Sequence, residues 1–253
     1  MWRFIKARDV GPSHKKNNTP CQDFCDVLEI SRDKVICAVL SDGAGSAKFA
    51  DKASYISVKY SLKFICEEIQ DIKSTLNEDD LKKIIIEILY KTRKRLLFKA
   101  RHLKVDKKEF SSTILGCIVM PNVSLFFQIG DGVIISGDID DLNCVFMPQN
   151  GEYLNTTHFL VEDNWKKYLS FKVVQSNFTR LAMSSDGLEP LMINFNTMSV
   201  HKPFFNSMFN ALSTVKKENL KNLSKLLKNF LGSTNVNKRI DDDKSLILVS
   251  FDE

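Results

Sequence analysis

Val35-Ile36-Cys37-Ala38-Val39-Leu40 runs without a break into Ser41-Asp42-Gly43. An apolar run of this kind has no polar face, so it reads as a strand buried on both sides, and the Asp-Gly step stops it abruptly. Upstream, Val27-Leu28-Glu29-Ile30 and the polar Ser31-Arg32-Asp33-Lys34 make it the second strand of a hairpin. Downstream, Val58, Leu62, Ile65 and Ile69 recur at helical spacing from Asp51 onward, and Leu81, Ile85, Ile88, Thr92 and Leu96 predict a second helix. Strands return at Ser112 to Val119, Val123 to Ile129, Val133 to Ile139 and Cys144-Val145-Phe146, divided by Pro121-Asn122 and Gly130-Asp131-Gly132.

Residues 147 to 168 hold Pro148, Gly151 and several Asn and Thr, and read as a long surface loop. Its stretch from Gln149 to Lys167 is either where substrate is selected or a plain surface excursion. Two more strands follow, Leu169 to Val174 and Arg180 to Ser184, the second ending at Ser185-Asp186-Gly187. A helix around Phe204 to Leu212 precedes another carrying Leu220, Leu223, Leu227 and Phe230, and Asp241-Asp242-Asp243-Lys244 leads into a last strand, Ser245 to Phe251. Strands, two helices, strands, two helices and a strand do not alternate as a doubly wound sheet does. The order predicts an α+β fold with antiparallel strands at the centre and helices outside. With no repeat or Pro/Gly/Ser linker, the 253 residues read as one domain spanning 1–253.

Composition narrows the class. Apolar residues make up 43%, charged 26% and aromatic 10%, which disfavours disorder, collagen and coiled coil. No apolar run approaches the ~18–20 residues of a spanning helix. The opening Met1-Trp2-Arg3-Phe4-Ile5-Lys6-Ala7-Arg8-Asp9 lacks the apolar core of a secretory signal, so a cytoplasmic location is expected. Cys37, Cys66, Cys117 and Cys144 sit singly among apolar residues and read as small buried side chains, and the Cys21/Cys25 pair lacks the second pair that zinc requires. The net charge of +5 suits an anionic substrate but does not by itself indicate nucleic acid.

The aspartates fall at strand ends. Asp42 and Asp186 each close an apolar run, Asp131 sits between two strands, and Asp241 to Asp243 precede one. Asp-Gly is also the commonest hairpin turn, yet a helix rather than a partner strand is expected after Ser41-Asp42-Gly43 and after Ser185-Asp186-Gly187. If these strands share a sheet end, the carboxylates converge, and two of them ~4 Å apart repel by about 4 kcal/mol at an effective dielectric of ~20. Divalent cations remove that conflict. Oxygen ligands without His or Cys partners suit Mg²⁺ or Mn²⁺, and two such ions can hold and deprotonate a bridging water for in-line attack on a phosphoester.

Other signals point elsewhere less well. Gly43-Ala44-Gly45-Ser46-Ala47-Lys48 is not a phosphate-cradling Gly-x-x-x-x-Gly-Lys-Ser/Thr loop. Lys91-Thr92-Arg93-Lys94-Arg95, with Lys99 and Arg101, reads as the solvated face of a helix without interleaved aromatics, although a basic nucleic-acid face is its rival reading. Asp138, Asp140, Asp141 and Asn143 lack the Gly and Glu of a calcium loop. Four histidines and no Gly-x-Ser-x-Gly argue against a serine-hydrolase triad.

Taken in order, His14 with Gln22-Asp23, Ser41-Asp42-Gly43-Ala44-Gly45-Ser46, Phe110-Ser111-Ser112-Thr113, Gly130-Asp131-Gly132, Ser185-Asp186-Gly187 and Asp242-Asp243-Lys244-Ser245 resemble the protein phosphatase 2C family of metal-dependent serine/threonine phosphatases, from about residue 10 to 250. Gly11-Pro12-Ser13-His14, Gly151-Glu152-Tyr153 and Thr157-His158-Phe159 look closest to short bacterial members that consist of the catalytic domain alone. The resemblance implies a sandwich of two antiparallel sheets with helices outside, and a site for two Mn²⁺ or Mg²⁺ ions. It implies that Asp23, Asp42, Asp186 and Asp242 carry the catalysis. Asp42 would bridge both ions, the Gly43 carbonyl would bind one, and Asp186 and Asp242 would bind the other. Asp23 beside Gln22 would act mainly through ordered water, Asp131 with Asp186 would hold a third, weaker ion as in bacterial relatives, and Thr113, Gln22 and Asp243 would support the site. Phosphorylated proteins would be the substrates, opposed by a cognate Ser/Thr kinase, with no membrane partner.

Three departures stand out. Many members carry His after Asp-Gly, where this chain has Ala44, and a Glu-Asp pair where it has Gln22-Asp23. The proton donor to the leaving alkoxide is therefore unassigned. The phosphate-binding arginine is displaced too: His14 lies nearest its place, as phosphate contact or as a structural histidine, with Arg8 or Arg3 as substitutes. The same departures open a second reading, a catalytically weak module that binds phosphoproteins without turnover.

Overall fold

The computed structural model describes residues 2–30, 35–69, 77–146, 157–175 and 178–251. In chain order the first elements are β1 (Trp2–Asp9), α1 (Pro12–Lys16), β2 (Phe24–Ile30), β3 (Val35–Ser41), α2 (Ala50–Glu68) and α3 (Glu78–His102). Next come β4 (Ile114–Met120), β5 (Val123–Ile129), β6 (Val133–Asp138), β7 (Asp141–Cys144), β8 (Ser170–Val174) and β9 (Arg180–Ser184). The last are α4 (Glu189–Met192), β10 (Ile193–Asn194), β11 (Ser199–Val200), α5 (Lys202–Thr214), α6 (Leu220–Leu231), α7 (Thr234–Asn237) and β12 (Lys244–Phe251). These elements form two antiparallel five-stranded sheets with helices, the α+β class that the element order predicts.

Two compact units result. One takes Gln22–Asp131 and Asn155–Asn177, the other Met1–Cys21, Gly132–Leu154 and Phe178–Glu253. In the first, the sheet runs β2-β3-β4-β5-β8, and β3 is buried along its whole length. Helices α2 and α3 pack together, and their apolar stripes, Val58, Leu62 and Ile65 with Leu81, Ile85, Ile88, Leu89 and Leu96, join the core of that sheet. Ser61 and Thr92 meet between the helices through a buried 3.0 Å hydrogen bond, which explains a Thr at a helical core position. Asn77 caps α3 by accepting from the Asp80 amide at 2.9 Å, while Glu78, Asp79 and Asp80 occupy the first turn and Lys99, Arg101 and His102 the last. Both ends thus suit the helix dipole.

In the second unit the order is β1-β12-β9-β6-β7, and β10 pairs with β11 in a two-stranded sheet. Phe205, Phe209 and Leu212 of α5 and Leu227 and Leu231 of α6 are buried in its core with Ile5, Leu246 and Leu248. Strand β1 had no signature in the sequence because Arg3, Lys6, Arg8 and Asp9 interrupt its apolar residues. It forms because β12, almost wholly buried, offers an edge that pairs from Trp2↔Phe251 to Asp9↔Lys244.

Four expectations need correction. Of the four single cysteines only Cys37 and Cys117 are buried: Cys66 falls on the exposed face of α2, and Cys144 ends the edge strand β7 and is half-buried. The strand expected at 144–146 lies at Asp141–Cys144, set by a tight hairpin that pairs Asp138 with Asp141. Residues 157–169 are no plain surface loop: Leu160, Val161 and Trp165 are buried in the first unit's core. Aromatics do share the exposed basic face of α3, since Phe98 is 65% exposed and Lys94 lies 4.3 Å over the Tyr90 ring. Several cations there are nonetheless engaged, Lys91 by Glu68 and Arg93 by Asp163 and the Val161 carbonyl. The hairpin turn 31–34 and residues 147–156 of the long loop, Gly151-Glu152-Tyr153 among them, lie outside the described residues. Among the described residues no helix is long and apolar enough to cross a membrane.

Candidate active site

Asp42 and Asp186 follow strands of different sheets, β3 and β9, so they do not share a sheet end. Each unit instead gathers its own group of the residues expected to act.

In the first unit, the chain leaving β3 is laced to its neighbours. The Asp42 amide donates to Thr113 Oγ1 at 2.9 Å and the Thr113 amide to the Asp42 carbonyl at 2.8 Å. Ser41 Oγ donates to the Thr113 carbonyl at 2.5 Å, the Gly43 amide to the Gln22 carbonyl at 3.1 Å, and the Ala44 amide to the Ser111 carbonyl at 3.0 Å. Gly43 also bridges Ser112, whose hydroxyl meets that of Ser57 at 2.9 Å. The backbone of residues 41–44 is therefore fixed on two sides before any ligand arrives, with Asp42 half-buried. Asp23 is fully buried and Gln22 nearly so. Asp131, half-buried between β5 and β6, accepts a 2.5 Å hydrogen bond from Thr157 Oγ1. Nothing in the sequence ties Thr157 to Asp131; only the return of residues 157–169 to this unit does so.

In the second unit, β9 and β12 pair with Ser184 opposite Leu246, which sets the residues after one strand beside those before the other. Ser185 Oγ accepts from both the amide and the hydroxyl of Ser245, each at 3.2 Å. Asp186 opens a short 3₁₀ turn, and Gly187 lies against the segment before β12: a Cβ there would come 2.3 Å from the Asp243 carbonyl oxygen. Gly11 is as tightly placed, since its Cβ would fall 2.3 Å from the Asp242 carbonyl carbon. The Asp242 carboxylate accepts the Asp243 amide at 2.7 Å and remains exposed, whereas Asp243 is buried. His14 Nδ1 lies 2.9 Å from Asp243, and one ligand atom from each of His14, Asp242 and Asp243 falls within 4.8 Å of the others. The turn 11–14 was visible in the sequence as Gly-Pro-Ser-His; its attachment to the aspartate run was not.

Arg3 and Arg8 lie apart along β1. Arg8 faces Ser245 in register, at the end where Asp242 and Asp243 lie, whereas Arg3 faces Ser250. At ~3.3 Å per residue Arg3 is ~16 Å further along the strand. The acidic run 138–141 is the β6–β7 turn, with Asp138 accepting from Thr179 Oγ1 at 2.7 Å.

Carboxylates and a backbone carbonyl are hard oxygen donors, with a His14 nitrogen beside them, and such a set fits a divalent cation. Gly187→Ala tests how tightly one group is built. The Cβ would push on a backbone oxygen that cannot swing away, so stability should fall by about 1–3 kcal/mol, with weaker metal binding. Urea unfolding and calorimetric titration with Mn²⁺ measure both, and an unshifted unfolding midpoint would contradict the close approach.

Comparison with known proteins decides the family. A family model described as Protein phosphatase 2C matches residues 10–231, spanning residues of both units. The chain belongs to the protein phosphatase 2C family. It is 32% identical over 256 residues to serine/threonine-protein phosphatase 3 of Escherichia coli (strain K12), with 100% of this chain and 99% of that protein covered. The fold of this phosphatase is also that of a bacterial serine phosphatase (TM-score 0.66, 12% identity, 100% of this chain and 98% of the other). The same holds for the serine/threonine phosphatase Stp1 from Staphylococcus aureus (TM-score 0.64, 12% identity, 100% and 96%). Within this 2C phosphatase, Ala44 occupies the place after Asp-Gly and contributes only its backbone to the lacing described above.

Proposed function

We propose that this phosphatase is a single catalytic domain, residues 1–253, that hydrolyses phosphoserine and phosphothreonine in proteins with the aid of two Mn²⁺ or Mg²⁺ ions and a third, weaker one. Asp42 and the Gly43 carbonyl would bind metal, as would Asp186 and Asp242, with Asp131 serving the third ion. When bound, the ions supply the positive charge that acidifies water and neutralises phosphoryl oxygens. The chain's own residues do the rest. Thr113 and Gln22 hold the backbone around Asp42 and Gly43 so that these oxygens keep one geometry; Asp23 orders water from its buried position; His14 contacts the substrate phosphate.

The observation that carries the reading is the hydrogen-bonded frame around Asp42, in which Thr113 meets both its amide and its carbonyl. Such prior fixation suits a ligand that must hold hard ions in a set geometry. Phosphoproteins of the cytoplasm, modified by a cognate Ser/Thr kinase, are the expected substrates. Chelation provides the test. Hydrolysis of an aryl phosphate and of a phosphoserine peptide should vanish with a chelator and return with excess Mn²⁺ or Mg²⁺. Activity that survives chelation would overturn the metal assignment, and no turnover with either ion would favour the binding module that Ala44 and Gln22 leave open.

A further inference from the structure

The C-terminal half of α3 concentrates the positive charge of the molecule. From Ile88 to Val105 the chain carries seven Lys and Arg and no Asp or Glu, against a formal net charge of +5 for all 253 residues, so the remainder is on balance acidic. Nearby cations are matched: Lys83 pairs with Asp80, Lys91 with Glu68, and Arg93 shares Asp163 with Lys107. Among the described residues no carboxylate pairs with Lys94, Arg95, Lys99, Arg101 or Lys104. The helix dipole accounts for cations in the last turn, Lys99 and Arg101, but not for Lys94 and Arg95. Lys91, Arg95 and Lys99 recur every four residues, which sets like charges side by side and weakens a helix. Apolar surface accompanies the charge. Tyr90, Lys94, Phe98 and Arg101 follow one another at four, four and three residues and share one exposed face, where Phe98 is 65% and Tyr90 38% open to water.

We propose that this face of α3 is a docking surface for an acidic segment of a partner protein, which sets carboxylates against Lys94, Arg101 and Lys104 and an apolar side chain against Phe98. The unmatched charge selects a polyanion, and the rings decide which kind. Single-stranded nucleic acid binds by stacking its bases on open ring faces. Here Lys94 lies 4.3 Å over the Tyr90 ring, and the His102 ring stacks on Phe98 at 6.3 Å, so each ring already has a neighbour on a face. A carboxylate-rich peptide needs only the cations and an apolar edge beside them. At ~1.5 Å per residue the face from Tyr90 to Arg101 is ~16 Å long, which about five residues of extended peptide span. The inference is independent of the catalytic reading, since none of these residues belongs to the candidate site.

The probe is a fluorescent peptide of about eight residues, Glu and Asp with two Leu, set against its Gln and Asn counterpart and a single-stranded RNA of similar length. Fluorescence anisotropy at about 50 mM salt should show the acidic peptide binding more tightly than either. Its Kd should rise about tenfold or more in Lys94→Glu with Arg101→Glu, and about fivefold in Phe98→Ala. Lys221→Glu with Lys225→Glu removes as much charge from exposed positions of α6 and should cost about threefold or less. Amide hydrogen exchange over residues 90–104 should slow when the peptide is added. The replaced cations have no carboxylate partner to lose, so thermal unfolding should stay near the wild-type midpoint. Absence of saturable peptide binding, or an equal loss in the α6 variant, would overturn the proposal. Tighter binding of the RNA, lost with Lys94 and Arg101, would overturn it in favour of a nucleic-acid face. Should the charge reversal fail to fold, an unchanged Kd in Phe98→Ala overturns it alone.

Discussion

Asp42→Asn and Asp186→Asn should each lower metal-dependent hydrolysis of an aryl phosphate on the order of 10³-fold or more, while the chain stays folded. Asparagine keeps the shape of aspartate and one of its oxygens but removes the charge that holds a divalent ion and sets its affinity. Losing several kcal/mol of metal-supplied stabilisation is worth three decades or more in rate. Folding should survive because the described bonds at Asp42 to Thr113 use its backbone amide and carbonyl, which the substitution leaves in place. Asp186 is half-buried at the start of a short turn, where an amide is tolerated. Steady-state kinetics with Mn²⁺ checks the rate. Thermal unfolding checks the cause: added Mn²⁺ should raise the wild-type midpoint, as any ligand of the native state does, and raise those of the variants much less. Full activity in either variant would remove that aspartate from the site.

The second large effect concerns alkaline stability. Cys117 is fully buried in β4, and burial pushes its thiol from 9.0 to about 12. Cys37, on the neighbouring β3, is likewise pushed well above its ordinary value, first by burial and then by the nearby Cys117 and Cys66. Below pH 9 the folded and unfolded chains both keep these protons, and stability does not depend on them. Above that pH the unfolded thiol ionises while the folded one does not, so the unfolded state binds fewer protons and stability falls as pH rises. For Cys117 the interval from 9.0 to about 12 corresponds to about 4 kcal/mol across the whole range. Urea unfolding at stepped pH should show the decline beginning near 9, and Cys117→Ala should flatten part of it at the cost of a small cavity. A wild-type chain equally stable at pH 9 and 11 would contradict the burial.

Much of the architecture was legible because its signals are local. The unbroken run before Asp42 marked β3 as buried, and the helical recurrence of Val58, Leu62 and Ile65 and of Leu81, Ile85 and Ile88 marked α2 and α3. Strand β1 was hidden because its charged residues mask any alternation, and only the edge offered by β12 reveals it. Leu160, Val161 and Trp165 looked like loop residues because the turn formers around them outweigh a short apolar cluster in any local window. At the site, the aspartates at strand ends were visible from their Asp-Gly steps, whereas their supports were divided. Thr113 came from the resemblance of its motif; Thr157 and the His14–Asp243 contact came from neither pattern nor spacing.

The amino-acid sequence alone determined which segments become strands and helices and where carboxylates interrupt them, since backbone periods of two and 3.6 residues are written into neighbouring side chains. Only the tertiary structure decided that Asp42 and Asp186 end strands of separate sheets, that Thr157 reaches Asp131, and that the turn carrying His14 closes on Asp243. Those outcomes depend on strand register and on hydrogen bonds between residues remote along the chain, and no local pattern encodes a partner that far away.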